Sequence, residues 1–188
     1  TKSGRLFNET PKNMRNISST DNHASFGDRS KSIKVKAGLL GNMYNSQKGN
    51  AYIKAYGSTQ DLETAAAVFK FAADNTSVEW KLDVYDDNSI KTAVVVTDKS
   101  EYSVNGTYAQ KQLQIEGERI IDIHSHLSGG TKGGAGNDFN LAKPKRKNAV
   151  YIRDSGKEGL LYEYNNKKSQ IKSIPIFSKE DLLQYIRK

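Results

Sequence analysis

Two histidines separated by one residue, His124 and His126, are the side chains of this sequence best suited to chemistry. They end residues 120–127, where apolar residues alternate as in a strand, and alternate residues of a strand point to the same face. Two imidazoles placed side by side in this way can bind one divalent metal ion. The spacing predicts a metal site at the end of a strand, and the alternative is a pair of surface histidines without metal.

A third metal ligand must be a carboxylate, because the sequence has no cysteine and no third histidine near the pair. A catalytic zinc ion usually has three protein ligands and one position left for water. The two local candidates are Asp138, which follows the glycine-rich residues 128–137, and Asp122, which shares the strand face of the histidines. For Asp122 we favour a supporting role, as acceptor of a histidine N–H.

The elements around these residues predict an α+β fold with a mixed, largely antiparallel sheet flanked by helices. Helical spacing predicts helices over 59–74, with Ser58 and Asp61 as a capping box, and over 178–187, with Ser178 as N-cap. Residues 101–116 are expected to form a hairpin that turns at Asn105-Gly106. Further strands are predicted over 33–37, 51–56, 78–85, 90–97, 119–127, 149–153 and 160–164, and one helical turn over 138–142.

The net charge of +8 is unevenly distributed. Residues 1–36 hold eight Lys or Arg against three acids, which is +5, and are rich in Asn, Ser and Thr. We therefore expect residues 1–32 to be a basic, flexible or loosely docked lead-in and residues 33–188 to form one domain. A second basic run, residues 143–147, is either a surface that attracts acidic partners or a solvated loop. Aromatic residues that could stack on nucleic-acid bases are not interleaved with these charges.

Several classes of protein are excluded by composition. The absence of cysteine excludes disulfide scaffolds, zinc fingers and thiol nucleophiles. No apolar run is long enough to predict a membrane span. Residues 129–136 lack the Gly-Lys-Ser/Thr ending of a phosphate-binding loop. Since the sequence begins with Thr1, we expect it to be part of a longer protein.

Glu79 opens a predicted strand directly after a helix and is followed by His124-Ser125-His126, a loop containing Ser and Gly, and Asp138. This order resembles the JAMM (MPN+) metallopeptidase motif over roughly residues 60–165. More closely, the chain resembles the JAB-like toxin domains at the C-termini of Rhs-type polymorphic toxins. The resemblance implies an α/β/α arrangement similar to that of JAMM proteins and cytidine deaminases.

The resemblance also implies roles for individual residues. His124, His126 and Asp138 would bind one catalytic Zn²⁺, and Glu79 would be the general base. Eleven residues separate His126 from Asp138, one more than in the family pattern, and Ala135 stands where the family has a serine. Ser128, two residues after His126, is the candidate catalytic serine of this chain.

As a function, the resemblance implies a zinc-dependent hydrolase that cleaves a peptide or isopeptide bond. It would act as a secreted or translocated toxin in the cytoplasm of a target cell, on a protein substrate. A cognate immunity protein, acidic to match the charge of +8, is expected as a partner.

The sequence is also compatible in part with two other functions. Asp122-Ile-His-Ser-His126 also resembles the opening of metal-dependent amidohydrolases and phosphoesterases, where it ends the first strand of a barrel. Only 61 residues follow Leu127, which is too short for such a barrel. The second alternative is a catalytically inert basic binding domain, which a measurement of bound metal distinguishes from the enzyme.

Overall fold

A computed structural model of the chain describes most of its length, and it shows where the site residues lie. The described residues are 3–5, 34–36, 39, 44–48, 51–76, 78–98, 100, 102–126, 137–154, 157–167 and 170–188. The predicted lead-in, residues 1–32, is therefore largely outside the described residues. Ser3–Arg5 nevertheless pairs with Lys34–Lys36 as a small antiparallel sheet.

Within these ranges the chain forms strands and helices in the following order. The strands are β1 (Ser3–Arg5), β2 (Lys34–Lys36), β3 (Tyr44–Lys48), β4 (Ala51–Thr59), β5 (Lys81–Asp87), β6 (Ile90–Thr97), β7 (Glu118–His126), β8 (Lys147–Asp154), β9 (Lys157–Tyr164) and β10 (Gln170–Ile176). The helices are α1 (Leu62–Asn75), α2 (Gly106–Gln112), α3 (Asn137–Leu141) and α4 (Lys179–Arg187). Among the described helices, none has the length and apolar character needed to cross a membrane.

One mixed sheet organises the molecule and confirms the predicted α+β class. Its eight strands lie in the order β10-β9-β8-β7-β5-β6-β4-β3. β7 and β8 are parallel, and the other neighbours in this sheet are antiparallel. A parallel pair needs a crossover connection, and residues 127–146 between β7 and β8 supply it. α3 belongs to this crossover.

The two faces of the sheet differ in chemistry. On one face, Leu82, Val84, Ile121 and Ile123 join the main core with α1 and α4. Residues at alternate positions of β5 and β7 point the other way. That opposite face carries buried polar residues in the middle of the sheet, and smaller apolar clusters pack α2 and the α3 region against it.

α1 begins later than predicted. Asp61 is its N-cap, and the Asp61 carboxylate accepts hydrogen bonds from the N–H groups of Glu63 and Thr64. Ser58 lies within β4, so the predicted capping box of Ser58 and Asp61 is wrong. The helix starts where a short carboxylate can satisfy its first free N–H groups.

The hairpin predicted over residues 101–116 is also wrong, because α2 occupies residues 106–112. Asn105 is the N-cap of α2 and accepts the Thr107 N–H at 2.9 Å. Gly106 packs closely on the sheet, where an added Cβ would lie 2.1 Å from Asp83 Oδ2. Asn-Gly suits both a hairpin turn and a helix start, and the contact with the sheet selects the helix.

Candidate metal centre

The two histidines lie at the carboxyl end of β7, in the middle of the sheet. Their Nε2 atoms are 3.2 Å apart, so the predicted side-by-side placement is confirmed. Asp138, in the first turn of α3, approaches from the crossover. Its Oδ2 lies 3.4 Å from His124 Nε2 and 4.0 Å from His126 Nε2. The crossover thus brings a carboxylate to the strand end that carries the imidazoles.

These three donor atoms fit a zinc ion. Tetrahedral ligands at 2.0–2.1 Å from zinc lie about 3.3–3.4 Å from one another. The three observed separations, 3.2, 3.4 and 4.0 Å, are close to that spacing. Two imidazole nitrogens and one carboxylate oxygen also form a typical donor set for a catalytic zinc site, which keeps one position open. His124, His126 and Asp138 can therefore hold a metal ion.

Glu79 lies beside this donor set, just before β5. Its Oε1 is 3.7 Å from His126 Nε2, and the residue is 6% exposed. The Glu79 N–H donates to the Ser100 carbonyl at 2.8 Å, and the Thr97 hydroxyl donates to the Glu79 carbonyl at 2.7 Å. Both backbone groups of Glu79 are thus satisfied, which fixes the backbone from which the carboxylate extends toward the histidines.

Ser125 connects the two halves of the site, and the sequence interpretation missed it. The residue between two histidines on one face must point to the opposite face. There the Ser125 Oγ accepts the Trp80 N–H at 2.8 Å, and the Ser125 N–H donates to the Trp80 carbonyl at 2.8 Å. Trp80 follows Glu79 directly, so this pair of bonds fixes Glu79 relative to the histidine strand. The sequence signal for this role is the hydroxyl residue Ser125 between the two histidines, because a polar side chain on the opposite, apolar face of the strand needs a hydrogen-bond partner.

The environment of Glu79 favours its protonated form in the metal-free protein. Burial, together with the nearby Asp138 carboxylate, raises the pKa of Glu79 from an ordinary 4.5 to about 8. The positive charge of Lys81 acts to lower the pKa of Glu79. A carboxyl whose pKa lies near neutral pH can both accept and return a proton.

Asp122 shares the face of the histidines, as predicted, but its contacts are with cations. Lys81 donates a hydrogen bond to it, and Arg119 and Arg146 lie 3.6 and 3.4 Å from its Oδ2. Burial alone would raise the pKa of Asp122, but the three cations outweigh burial and lower it to about 2. Among the described contacts of Asp122, these cations take the place of the histidine N–H that we expected.

The donor set opens onto a cavity of about 630 Å³, which we call the metal cavity. Lys81, Arg119 and Asp122 line it below the histidines, and residues 102–107 line the opposite wall. Asp98 holds that wall, because its carboxylate accepts the Asn105 N–H at 2.9 Å and pairs with Lys54 at 2.5 Å. This volume is within the range of small-molecule and peptide side-chain sites.

Some of the expected features lie outside the described residues. Ser128, the candidate catalytic serine, falls there together with Ala135 and residues 127–136. The assignment of Ser128 therefore stays a prediction. The barrel required by the amidohydrolase alternative is contradicted, since the described strands around β7 form an open sheet that runs from β10 to β3.

Comparison with known proteins gives one match. Residues 57–148 match the family model of JAB-like toxin 1. No curated protein and no solved structure matches the chain. The matched segment contains Glu79, both histidines of β7 and Asp138, and the match confirms the resemblance to JAB-like toxin domains.

Proposed function

We propose that the protein is a zinc-dependent hydrolase of JAMM type, because residues 57–148 match the family model of JAB-like toxin 1. It would cleave a peptide or isopeptide bond in a protein of the target cell. The supporting observation is the convergence of His124, His126 and Asp138, with Glu79 at 3.7 Å from His126 Nε2. Three metal donors and a separate buried carboxyl are the minimum that metal-assisted hydrolysis needs.

In this proposal the chain supplies both the metal ligands and the proton carrier. A zinc ion held by His124, His126 and Asp138 would act as a Lewis acid on the scissile carbonyl and would make a water molecule more acidic. Glu79, as carboxylate, accepts the proton of the attacking water while the new C–O bond forms. Protonated Glu79 then gives that proton to the leaving nitrogen as the C–N bond breaks. Glu79 is buried beside the metal donors, so it is placed to hold the proton between the two transfers.

Ser128 stays our candidate for stabilising the oxyanion that forms when water attacks the carbonyl. A hydroxyl that donates a hydrogen bond to this oxygen lowers the energy of the transition state. The family serine is replaced by Ala135 in this chain, so another donor is needed. Ser128 is two residues from His126 and carries the first hydroxyl after it in the sequence.

We propose further that the chain is the effector part of a Rhs-type polymorphic toxin and is translocated into the cytoplasm of a target cell. The match to a toxin family supports the effector role. A producing cell would then need an immunity protein, and the net charge of +8 favours an acidic one.

Metal analysis tests the site. We expect about one zinc ion per wild-type chain, the same content in His23→Ala, and no retained zinc in His126→Ala, which lacks one of the three protein ligands. His23 is the third histidine of the sequence and serves as the matched control. Wild-type protein without a transition metal, or His126→Ala with full metal content, would contradict the assignment.

Activity tests the role of Glu79. Wild-type protein added to a bacterial lysate should create new protein N-termini, detectable by labelling and mass spectrometry. Glu79→Gln should keep its zinc, because the three metal ligands are unchanged. It should cleave about 10²–10⁴-fold more slowly, because the carboxyl that carries the proton is lost. Equal cleavage by both proteins would exclude Glu79 as the general base.

Growth of bacteria tests the toxin role. Expression of the wild-type chain in the cytoplasm should stop growth, and expression of Glu79→Gln to the same level should not. Equal growth of the two strains would argue against a toxin that acts through this site.

A further inference from the structure

A second cavity of about 560 Å³ lies next to the metal cavity, and we call it the basic cleft. Tyr85, Arg119, Lys143, Lys145 and Arg146 line it. Arg119 lines both cavities, so the basic cleft and the metal cavity meet at this residue. Both cavities therefore offer the Arg119 side chain to a bound ligand.

The basic cleft carries a strong positive charge. Four of its lining residues are cations, and the exposed Glu118 is the acid among them. Lys143 and Lys145 are exposed, whereas the Arg146 side chain is only 6% exposed. Cations at a rim attract an anionic ligand, and cations deeper in a cleft can pair with it away from water.

The two arginines of the cleft are held in place from below. Arg119 Nη1 and Arg146 Nη2 lie 3.6 and 3.4 Å from the same oxygen of Asp122, and Arg119 Nη1 also bonds Asp83 at 3.1 Å. Each guanidinium has five N–H donors. Because the groups are already ordered, a ligand that pairs with their remaining donors loses less conformational entropy on binding.

Tyr85 adds an observation that is independent of the charge. The residue is 1% exposed, and its hydroxyl has no hydrogen-bond partner among the described residues. Burial raises the pKa of Tyr85, so the phenol keeps its proton and can donate it. Buried hydroxyls are normally paired, so this donor beside four cations indicates a place for a ligand that accepts hydrogen bonds.

We propose that the basic cleft is a substrate subsite that binds an acidic segment of the polypeptide to be cleaved. Its carboxylates accept the Tyr85 O–H and pair with Arg119 and Arg146, while Lys143 and Lys145 attract the segment from solution. This inference rests on the proposed function, because the acidic segment belongs to the protein whose bond lies in the metal cavity. Nucleic acid is less favoured, since the aromatic ring of the cleft, Tyr85, is buried and offers no face for stacking bases.

Peptide binding tests the subsite without requiring catalysis. A fluorescein-labelled peptide of alternating glutamate and alanine is compared, by anisotropy, with the same peptide carrying glutamine for glutamate. Wild-type protein should bind the glutamate peptide at least about tenfold more tightly, with the difference shrinking as salt is added. Equal affinity for the two peptides would overturn the proposal.

Three variants locate the binding. Lys143→Glu with Lys145→Glu should weaken binding of the glutamate peptide about tenfold or more, whereas the exposed pair Lys167→Glu with Lys188→Glu carries the same charge change and should have little effect. Tyr85→Phe keeps the ring and should weaken binding about three- to tenfold. Equal losses in the two double variants would mean non-specific attraction and would overturn the subsite.

Three further measurements separate this inference from others. His126→Ala should bind the glutamate peptide like wild type, so a failed metal site and a failed cleft give different results. In lysates, new N-termini made by wild-type protein should lie near Asp or Glu residues, and Lys143→Glu with Lys145→Glu should lose this preference. A labelled oligouridylate that binds more tightly than the glutamate peptide, and is lost in the same variant, would show a nucleic-acid partner instead.

Discussion

Ser125 lies between the two histidines of β7, and its hydroxyl accepts the N–H of the residue that follows Glu79. Thr97 holds the same segment from the other side through the Glu79 carbonyl. Together these two hydroxyls anchor the backbone of Glu79 and Trp80 beside the histidine strand. At the scale of single residues, the site therefore depends on hydrogen bonds made behind it.

Replacing Ser125 tests this dependence. Ser125→Ala leaves the buried Trp80 N–H without its acceptor, which we expect to reduce the free energy of unfolding by about 1–3 kcal/mol. Urea denaturation measures this loss, and the rate of lysate cleavage should fall with it. The exposed Ser173→Ala is the matched control and should change neither quantity. Equal unfolding midpoints for the two variants would show that Ser125 does not hold the Glu79 segment.

Two helices show how capping residues set the boundaries of elements. α2 starts at Asn105, although Asn-Gly suggested a hairpin, and its start places residues 102–107 along the metal cavity. α4 has Ser178 as its N-cap, as the sequence predicted, and the structure adds a reciprocal capping box between Ser178 and Asp181. In both cases a short polar side chain replaces the hydrogen bonds that the first turn of a helix lacks.

The N-cap of α2 can be tested by stability. Asn105→Ala removes the acceptor of the Thr107 N–H and should destabilise the protein by about 0.5–2 kcal/mol. The exposed Asn166→Ala serves as a control and should leave the thermal midpoint unchanged. A stability of Asn105→Ala equal to wild type would contradict the assignment of Asn105 as the cap.

The capping box of α4 predicts a dependence of stability on pH. The Ser178 N–H, followed by the Ser178 hydroxyl, lowers the pKa of Asp181 below its ordinary 3.8. Because the pKa of Asp181 is lower in the folded state, its carboxylate stabilises the fold at pH values above the unfolded-state pKa. This stabilisation is lost as the pH falls through the folded-state pKa. Wild type should thus exceed Asp181→Asn in stability at pH 6–7, and the difference should shrink below about pH 4. The neighbouring Glu180→Gln is the control, and a difference that does not vary with pH would refute the cap.

At the scale of the whole molecule, the site depends on the one parallel pair of strands described in the main sheet. β7 and β8 are parallel, so the chain must cross over between them, and Asp138 lies in that crossover. The central position of β7 buries the base of the site between α1 and α4 on one face and the metal cavity on the other. The donors come together only when the sheet is complete.

Metal binding should therefore stabilise the fold as a whole. A ligand that binds only the folded state adds about 2.7 kcal/mol at a free concentration of 100 times its Kd. For a chain of this size that is a rise in Tm of roughly 5–10 °C. Differential scanning fluorimetry should show this rise with zinc, its loss with a chelator, and no response in His126→Ala. A zinc response of His126→Ala equal to that of wild type would place the metal elsewhere.

The sequence alone determined the features that depend on local periodicity. The strand period places His124 and His126 on one face, and helical spacing with Ser178 as N-cap locates α4. The tertiary structure decided what depends on long-range packing. It brings Asp138 to the histidines and directs Asp122 to Lys81 and the arginines, because the crossover and the neighbouring strands determine which charges meet. It also made Asn105-Gly106 the start of a helix, since the contact of Gly106 with the sheet outweighs the local turn preference. It placed an unpaired Tyr85 hydroxyl beside the basic cleft, since the packing of neighbouring strands and helices, which no local pattern encodes, determines which side chains become buried.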